Sequence, residues 1–454
     1  MKVSFFFVIL VTMDIRISDH FTYGKTLRFV MPSIAMMIFT SIYTIVDGYF
    51  VANYVGKTPF AALNLIYPMI MIISCQSFMF GAGGTALVAK YLGQNRKEKA
   101  NECFSMVIYV SIITAIILSI VGYFITPGVA IVFGADEKML PHCIAYGRII
   151  LLGLPFFELQ TELQNFFVAA NKPQLGFKMT AISGFANIVG DFVLVKYLGL
   201  GLRGAALATI LAQMVGGMLS LLAFVKPKEG TLALGKAVFD GNDLLRTCSN
   251  GISELLNNVS MSLVSMLYNW QLISYAGENG VAAYGAIMYL DFVFYAVFLG
   301  YSLGIAPVVS YNYGANDYEE LHNIYVKSLI INLFFGVLML VFAEIMAKPL
   351  SMVFTSYDQE LMEMTVHGFK IYSLAYLFAG FSVFGSAFFT ALNNGKVSAA
   401  ISFIRALVFE TTTVIILPFF FGLDGIWAAI VLARFLSLGL TAYYFHKYKD
   451  HYRY

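Results

Sequence analysis

The sequence predicts an all-α integral membrane protein with twelve transmembrane helices, arranged as two halves of the same topology. Three observations support this fold class. Hydrophobic residues make up 59% of the 454 positions and charged residues only 12%, about half the charged share of a soluble domain. Apolar runs of roughly twenty residues, the length that crosses a bilayer, recur along the whole chain. Several residues also recur at one constant offset, which indicates an internal repeat.

The apolar runs define twelve candidate spans, and a polar stretch in the middle of the chain separates the first six from the last six. The spans are 29–52, 60–89, 103–126, 143–170, 175–197, 202–225, 246–275, 281–311, 324–347, 365–392, 397–420 and 425–446. The predicted organisation is an N-terminal segment 1–24, an N-lobe 25–225, an inter-lobe loop 226–243, a C-lobe 244–447 and a tail 448–454.

The extreme N-terminus carries a short apolar run, Met1–Met13, that is too short to span a bilayer. No small-residue cleavage site follows it, so it does not have the form of a secretory signal. We interpret Met13 as the start of the chain.

The distribution of lysine and arginine predicts the orientation in the membrane. With the N-terminus inside, nineteen of the 28 basic residues fall in inner segments and five in outer loops. Inner loops of membrane proteins carry this excess of positive charge. We therefore expect both termini to be cytoplasmic and the protein to be a multi-pass component of the plasma membrane.

The internal repeat has an offset of 221 residues. This offset brings Gly93 onto Gly314 and Asn95 onto Asn316, and much later Gly201 onto Gly422. Because six spans, an even number, separate the copies, both halves have the same topology. They are expected to be parallel repeats with a substrate path between them.

Composition and motifs exclude several functions. A net charge of +2 without a basic cluster argues against nucleic acid, and the four cysteines are scattered without CxxC spacing. No HExxH, Gly-x-Ser-x-Gly or comparable catalytic pattern occurs in a suitable setting, and Gly81–Gly84 lacks the ending of a phosphate loop. We expect neither an enzyme nor a bound cofactor or metal.

Two carboxylates lie within spans of the first half. Asp47 falls in the first span and Asp191 in the fifth, and Asn187 precedes Asp191 by one helical turn on the same face. An acid in such a segment costs at least a few kcal/mol, so it is protonated, paired or facing a water-filled cavity. The two acids predict a proton or cation site. A structural hydrogen bond to a helix backbone is the alternative reading of each.

Several local patterns together resemble the multidrug and toxic compound extrusion (MATE) transporters. The resemblance extends from about Phe21 to about Phe445. The patterns are Pro32 in the first span, 42–56, Gly81–Gly84, 91–94, 169–173, 187–191 and 204–209. The resemblance implies two six-helix lobes that form a V-shaped cleft, with export coupled to inward movement of H⁺ or Na⁺.

The chain is more similar to the DinF- and MepA-like branch of that family than to the NorM branch. The first branch implies an N-lobe cation site, which falls here on Asp47, Asn187, Asp191 and Thr209. On their own, Asn187 and Thr209 would be helix-packing residues. The NorM site needs an acid in span 7 and another in span 10. Span 7 offers Glu254, but span 10 has no acid beyond Glu363.

Further polar residues within the spans are candidates for the substrate cleft. In span 4, Glu158, Glu162 and Asn165 give one helix face a polar stripe, which we expect to form a cleft wall, with Glu162 touching solute or ion. In the second half, Glu254 and Asp291 could serve the cleft or a structural role. Arg405, Glu410 and Arg434 are expected to be structural, with Arg434 as the candidate partner of Glu410. Pro32 can kink the first helix.

The leading hypothesis is a secondary active multidrug exporter that exchanges organic cations or amphipathic compounds for H⁺ or Na⁺ by alternating access. A flippase of lipid-linked sugars is an alternative, although the acidic intramembrane residues suit a pyrophosphate poorly. An exporter of one narrow endogenous metabolite is another alternative. The expected partners are small-molecule substrates and membrane lipid, and the expected state is a monomer.

Overall fold

The computed structural model describes residues 15–55, 57–225, 232–355 and 358–454, and helix dominates each of these ranges. The inferred start Met13 and positions 226–231 of the inter-lobe loop lie outside the described residues. The helical architecture confirms the predicted fold class.

The first lobe consists of six helices, several of which are built from two helical pieces in series. They are α1 (Tyr23–Tyr54), α2 (Lys57–Ser74 and Gln76–Gly93), α3 (Lys97–Val132), α4 (Leu140–Leu152 and Leu154–Ala169), α5 (Pro173–Asp191 with the π-helical turn Phe192–Tyr197) and α6 (Gly201–Val225).

The second lobe begins with one long helical stretch, Gly241–Ala315, which Gly277 divides into α7 and α8. Gly277 has φ 58° and ψ −147°, a conformation that favours glycine. The next helices are α9 (Tyr318–Thr355) and α10 (Gln359–Ser373 and Tyr376–Ala391). The last helical stretch runs from Gly395, through the π-helical turn Ile404–Phe409, to Tyr452. Gly422, with φ 57°, divides it into α11 and α12.

The described residues supply a helix for each of the twelve predicted spans. Eight helices are long and apolar enough to cross a membrane, and two bent pairs raise the number to ten. Dividing Gly395–Tyr452 at Gly422 gives an eleventh. The twelfth is α7, whose hydropathy is lowered by Glu254 and by neighbouring asparagines. Most helices extend beyond the predicted spans, because backbone hydrogen bonding continues past the apolar segment.

The backbone repeats at the offset predicted from the sequence. The two pieces of α4 meet at 52°, and so do the two pieces of α10. Asn95 and Asn316, which follow the ends of α2 and α8, both have φ 58°, and Gly201 and Gly422 have φ 60° and 57°. These matching features confirm the internal repeat.

The first described residues before α1 and the C-terminal residues lie at the same end of the helix bundle, here called the termini face. Phe21 donates its amide to Glu320 at 2.8 Å, and the guanidinium of Arg453 stacks over Tyr318 at 5.4 Å. Both partners lie at the start of α9, so the segment before α1 and the C-terminal residues contact one region of the C-lobe.

Glycines bring the two lobes into close contact toward the termini face. A Cβ at Gly93 of α2 would lie 2.0 Å from the carbonyl oxygen of Tyr311 in α8, and one at Gly314 would lie 2.2 Å from that of Lys90. A Cβ at Gly83 would lie 2.0 Å from the carbonyl oxygen of Thr247 in α7. Helices pack this closely only where small residues face each other. The α2 contact with α7 and α8 therefore closes this end of the molecule.

The segment before α1 extends across the two lobes on the termini face. The amide of Ile17 donates to Asn171 of the N-lobe at 2.6 Å. His20 Nδ1 lies 2.5 Å from Glu320 of the C-lobe, and Lys327 donates to the Phe21 carbonyl at 2.6 Å. Residues 15–22 therefore form a strap that contacts both lobes, and we keep that name for them.

Candidate functional site

The structure brings the two predicted N-lobe acids together. Asp47 on α1 and Asp191 on α5 interact directly through their carboxyl groups. Asp191 is fully buried, and neither of its oxygens has a hydrogen-bond donor; Oδ1 of Asp47 also lacks one. Asp47 is half-buried as a residue, but its Oδ1 is buried, so the two carboxylates cannot both stay ionised here unless a cation lies between them; otherwise they hold a proton.

Close helix packing places these acids side by side. A Cβ at Gly184 of α5 would lie 2.5 Å from the Phe39 ring and 2.8 Å from the Tyr43 ring of α1. The missing side chain lets the two helices approach, two turns before Asp191. The π-helical turn Phe192–Tyr197 begins directly after Asp191, and such turns are frequent at functional sites.

The other two residues of the predicted site differ in their surroundings. Asn187 is 3% exposed, and its Oδ1 is buried without a hydrogen-bond partner. Its position one turn before Asp191 makes this oxygen available to the same site. Thr209 is half-buried, and its hydroxyl donates to the Ala205 carbonyl of its own helix at 3.0 Å. The structure therefore brings together Asp47, Asn187 and Asp191, whereas the Thr209 hydroxyl is engaged within α6.

Tyrosines surround the acid pair, and the sequence analysis did not identify them. Tyr43 on α1, Tyr67 on α2 and Tyr146 on α4 are all electrostatic neighbours of Asp47. Tyr289 on α8 reaches the same carboxylate from the C-lobe. The one sequence signal was the spacing of Tyr43, four residues before Asp47. The other three come from distant helices and were hidden among 28 tyrosines.

The polar face of α4, which was predicted to form a cleft wall, points partly into the interior of the N-lobe. Glu162 is 0% exposed and accepts a hydrogen bond from Ser111 of α3 at 2.7 Å, so it points into the N-lobe. Asn165 is half-buried and donates to the Thr161 carbonyl at 3.0 Å, against Gly81 of α2. A polar stripe can face a lobe interior when neighbouring helices supply partners. Contact of Glu162 or Asn165 with a solute stays a prediction.

The C-lobe acids lie in a cluster with arginines. Glu254 on α7 has Arg405 as an electrostatic neighbour, and Arg405 donates to Asn257 at 2.6 Å. Asp291 on α8 faces Arg434. These cations offset the charge of both acids, whereas no lysine or arginine forms an ion pair with the N-lobe acids in the described part of the chain.

Arg434 occupies the centre of this C-lobe cluster. Its guanidinium lies over the Tyr295 ring at 4.5 Å, with Asp291, Tyr372 and Glu410 as electrostatic neighbours. The predicted pairing of Arg434 with Glu410 holds as an electrostatic contact, but the described residues contain no such ion pair within 4.0 Å.

Two remaining expectations concern Pro32 and metals. Helix α1 runs unbroken from Tyr23 to Tyr54 with Pro32 inside it, so the breaks in the bundle lie elsewhere, as at Gly153 between the pieces of α4. Kinking at Pro32 stays a prediction. Across the described ranges, no three His, Cys, Asp or Glu side chains come together as a metal site.

Two repeated six-helix lobes with buried ionisable groups between their helices define a polytopic membrane transporter. The family model MatE matches the chain twice, over residues 32–193 and 255–415, once in each lobe. The chain therefore belongs to the MatE family, which confirms both the resemblance and the assignment to a transporter rather than an enzyme.

Curated relatives support the same assignment. The chain is 24% identical over 416 residues to the multidrug export protein MepA of Staphylococcus haemolyticus, covering 89% of each chain. It is 22% identical over 414 residues to the MepA of Staphylococcus saprophyticus, covering 91% of each. These relatives agree with the predicted DinF- and MepA-like branch.

Solved structures share the fold. A MATE protein in complex with MaL6 has a TM-score of 0.91 at 20% identity, covering 96% of this chain and 98% of the other. An outward-facing multidrug resistance MATE family transporter of the MOP superfamily has a TM-score of 0.88 at 21% identity, covering 96% and 97%.

Proposed function

We propose that this protein is a secondary active exporter that couples efflux of organic cations or amphipathic compounds to inward movement of H⁺ or Na⁺. The coupling site is the Asp47–Asp191 pair with Asn187. The observation that carries the proposal is the set of buried carboxylate and amide oxygens without hydrogen-bond partners at this place. The names of the MepA relatives, which are multidrug export proteins, support the substrate class.

The chemistry of the pair explains how coupling would work. With a proton or Na⁺ bound, the pair loses part of its negative charge. Once that ion leaves, the two carboxylates attract a cation, so the ion and a cationic substrate compete for the same charge. Tyr67 and Tyr289 are electrostatic neighbours of Asp47, and aromatic rings bind organic cations through their faces. Tyr289 belongs to the C-lobe, so occupancy of the site can influence both lobes.

The termini face corresponds to the cytoplasm in this proposal. The excess of lysine and arginine in the loops on this side supports that orientation. The exporter then acts in the plasma membrane as a monomer, with lipid around its helices. In the conformation described above, the glycine contacts of α2 keep the cytoplasmic end closed. Transport requires those contacts to separate.

Efflux of ethidium from cells that express the protein tests the proposal. Asp191→Asn keeps the shape of the side chain but removes the ionisable group. We expect its efflux to fall to the level of cells without the protein, and wild-type efflux to stop with a protonophore or on removal of Na⁺. Asp450→Asn, an exposed aspartate in the last helix, is the matched control and should transport normally.

Each other outcome has a defined meaning. Wild-type rates in Asp191→Asn at equal expression would refute the N-lobe coupling site, and Glu254 would be tested next. Efflux that continues unchanged both with a protonophore and without Na⁺ would refute secondary active transport. Absence of ethidium efflux even in wild type would refute the broad substrate class and favour a narrow metabolite or a lipid-linked substrate.

A further inference from the structure

A second buried acid pair lies in the N-lobe, on α4, apart from the Asp47–Asp191 pair. Glu158 and Glu162 are four residues apart, so their side chains lie on the same helix face. Both residues are 0% exposed. The pair begins one turn after Gly153, where the two pieces of α4 meet at 52°.

Each glutamate has one oxygen held by a neutral donor and one oxygen without any donor. Gln76 of α2 donates its amide to Oε1 of Glu158 at 2.5 Å, and Ser111 of α3 donates its hydroxyl to Oε2 of Glu162 at 2.7 Å. Oε2 of Glu158 and Oε1 of Glu162 are buried and unpaired. The two carboxyl groups interact directly with each other. The unpaired oxygens therefore belong to facing groups.

Among the described residues, the helices packed around this pair supply no lysine, arginine or histidine that forms an ion pair with it. On α2, the titratable neighbour of Glu158 is the Cys75 thiol. On the other side of α4, Gln160 and Gln164 bond to the hydroxyls of Ser183 and Thr180 of α5. Within the described ranges, neither glutamate forms an ion pair with a lysine, arginine or histidine. Helix α6 contributes glycine backbone against α4, at Gly217.

We propose that Glu158 and Glu162 share one proton and form a second proton-binding site of the N-lobe. Two like charges this close, without a counter-ion, are not both ionised. One proton between the two facing carboxyl groups gives one of them a donor and the other an acceptor. It satisfies the two free oxygens and leaves the bonds from Gln76 and Ser111 in place. Hard metal cations need more oxygen ligands than the two that are free here.

The site is independent of the proposed coupling pair. Its residues come from α2, α3 and α4, whereas Asp47 and Asp191 lie on α1 and α5. The same carboxyl chemistry therefore appears twice in one lobe, and each pair can be tested with the other removed.

Infrared spectroscopy of the purified full-length protein tests the proposal through the carbonyl stretch of protonated carboxylic acids. The background carries Asp47→Asn and Asp191→Asn, so the first pair contributes no signal. The difference spectrum between this background and the same protein with Glu158→Gln and Glu162→Gln is expected to contain a protonated-acid band near neutral pH. That band should shift in D₂O.

Further variants fix the assignment of the band to this pair. Ser111→Ala removes the donor to Glu162 and should move the band to higher frequency without abolishing it. Gln213→Ala on α6 changes a polar side chain whose buried Oε1 has no hydrogen-bond partner among the described residues, and it should leave the band unchanged. Circular dichroism of each variant checks the fold, and the Ser111→Ala shift is measurable even if the double glutamine variant does not fold.

Two results would overturn the proposal. Absence of a band in the difference spectrum would show that both glutamates are ionised. Loss of the band on adding Na⁺ at fixed pH would show that the pair binds a metal cation in place of a proton. Neither result depends on ethidium efflux, so failure here and failure of the proposed function are distinguishable.

Discussion

The glycine contacts between the lobes make a quantitative prediction about opening of the termini face. In Gly93→Ala, the new Cβ would lie 2.0 Å from the Tyr311 carbonyl oxygen, whereas an ordinary contact begins at 3.4 Å. Helices α2 and α8 must therefore separate by about 1.4 Å, or the contact must break. Overpacking of this kind costs about 1–3 kcal/mol. We expect the variant to favour the state in which the termini face is open.

Spin labels on the two lobes measure this separation. Glu98 at the start of α3 and Glu319 at the start of α9 are both exposed on the termini face, so cysteines introduced there can carry spin labels. Cys248→Ser removes the one native cysteine that is not buried among the described residues. Double electron–electron resonance should detect a longer-distance population in Gly93→Ala. The thermal unfolding midpoint should fall as well.

A second glycine provides the control. Gly439 in α12 has no atom within 4 Å of its added Cβ, and alanine is the better helix former by about 1 kcal/mol. Gly439→Ala should keep the wild-type distances and unfold at the same or a higher temperature. If Gly93→Ala behaved in the same way as Gly439→Ala, the lobes would not be in contact as described.

Two further predictions concern polar contacts at the termini face. Lys99 donates to Asp240 at 2.8 Å and forms an ion pair with buried Asp243 at 3.1 Å. Lys99→Met leaves the buried Asp243 carboxylate without this charge and should lower the free energy of unfolding by about 1–3 kcal/mol. Lys99 lowers the pKa of Asp240. The stability from that contact is therefore present above the ordinary carboxyl pKa and is lost as pH falls through the lowered value. Thermal unfolding of wild type and Lys99→Met from neutral to acidic pH should show their stability difference becoming smaller in acid. Glu320→Ala removes the acceptor for the strap, including His20, so amide hydrogen exchange in residues 15–22 should become faster.

Neighbouring residues serve as controls for these two variants. Lys97→Met lies in the same first turn of α3 and is exposed, so it should leave stability within about 0.5 kcal/mol of wild type. Glu319→Ala, next to Glu320, should leave exchange in the strap unchanged. Equal effects of a variant and its control would contradict the corresponding contact.

The sequence predicted the helices and the repeat because both depend on local information. The length of an apolar run determines whether a helix can cross the membrane, and a constant offset between similar residues can be detected without knowing which helices are neighbours. The cost of Asp47 and Asp191 in an apolar segment also marked them as interior groups, and the structure places them together. Asn187 was identified by its helical spacing from Asp191. These conclusions need no tertiary contact.

Other features of the site depend on which helices become neighbours. Tyr67 and Tyr146 approach Asp47 only because α2 and α4 pack beside α1, and nothing in their local sequence marks them. The polar stripe of α4 was correctly predicted to avoid lipid, but its direction depends on partners such as Ser111 on another helix. The strap was not predicted, because its contacts join positions about 150 and 300 residues apart.

The two matching bends of α4 and α10 have an evolutionary consequence. A duplicated gene segment keeps its backbone when glycine, asparagine and the helix break stay in register, while its side chains diversify. At the offset of 221, Asp47 and Asp191 correspond to Tyr268 and Thr412, and Gln213 corresponds to Arg434. Among the described residues, the Asp47–Asp191 pair of the N-lobe has no lysine or arginine ion pair, whereas Glu254 and Asp291 of the C-lobe lie beside arginines. The two halves therefore share one backbone plan but differ in how their buried charges are balanced.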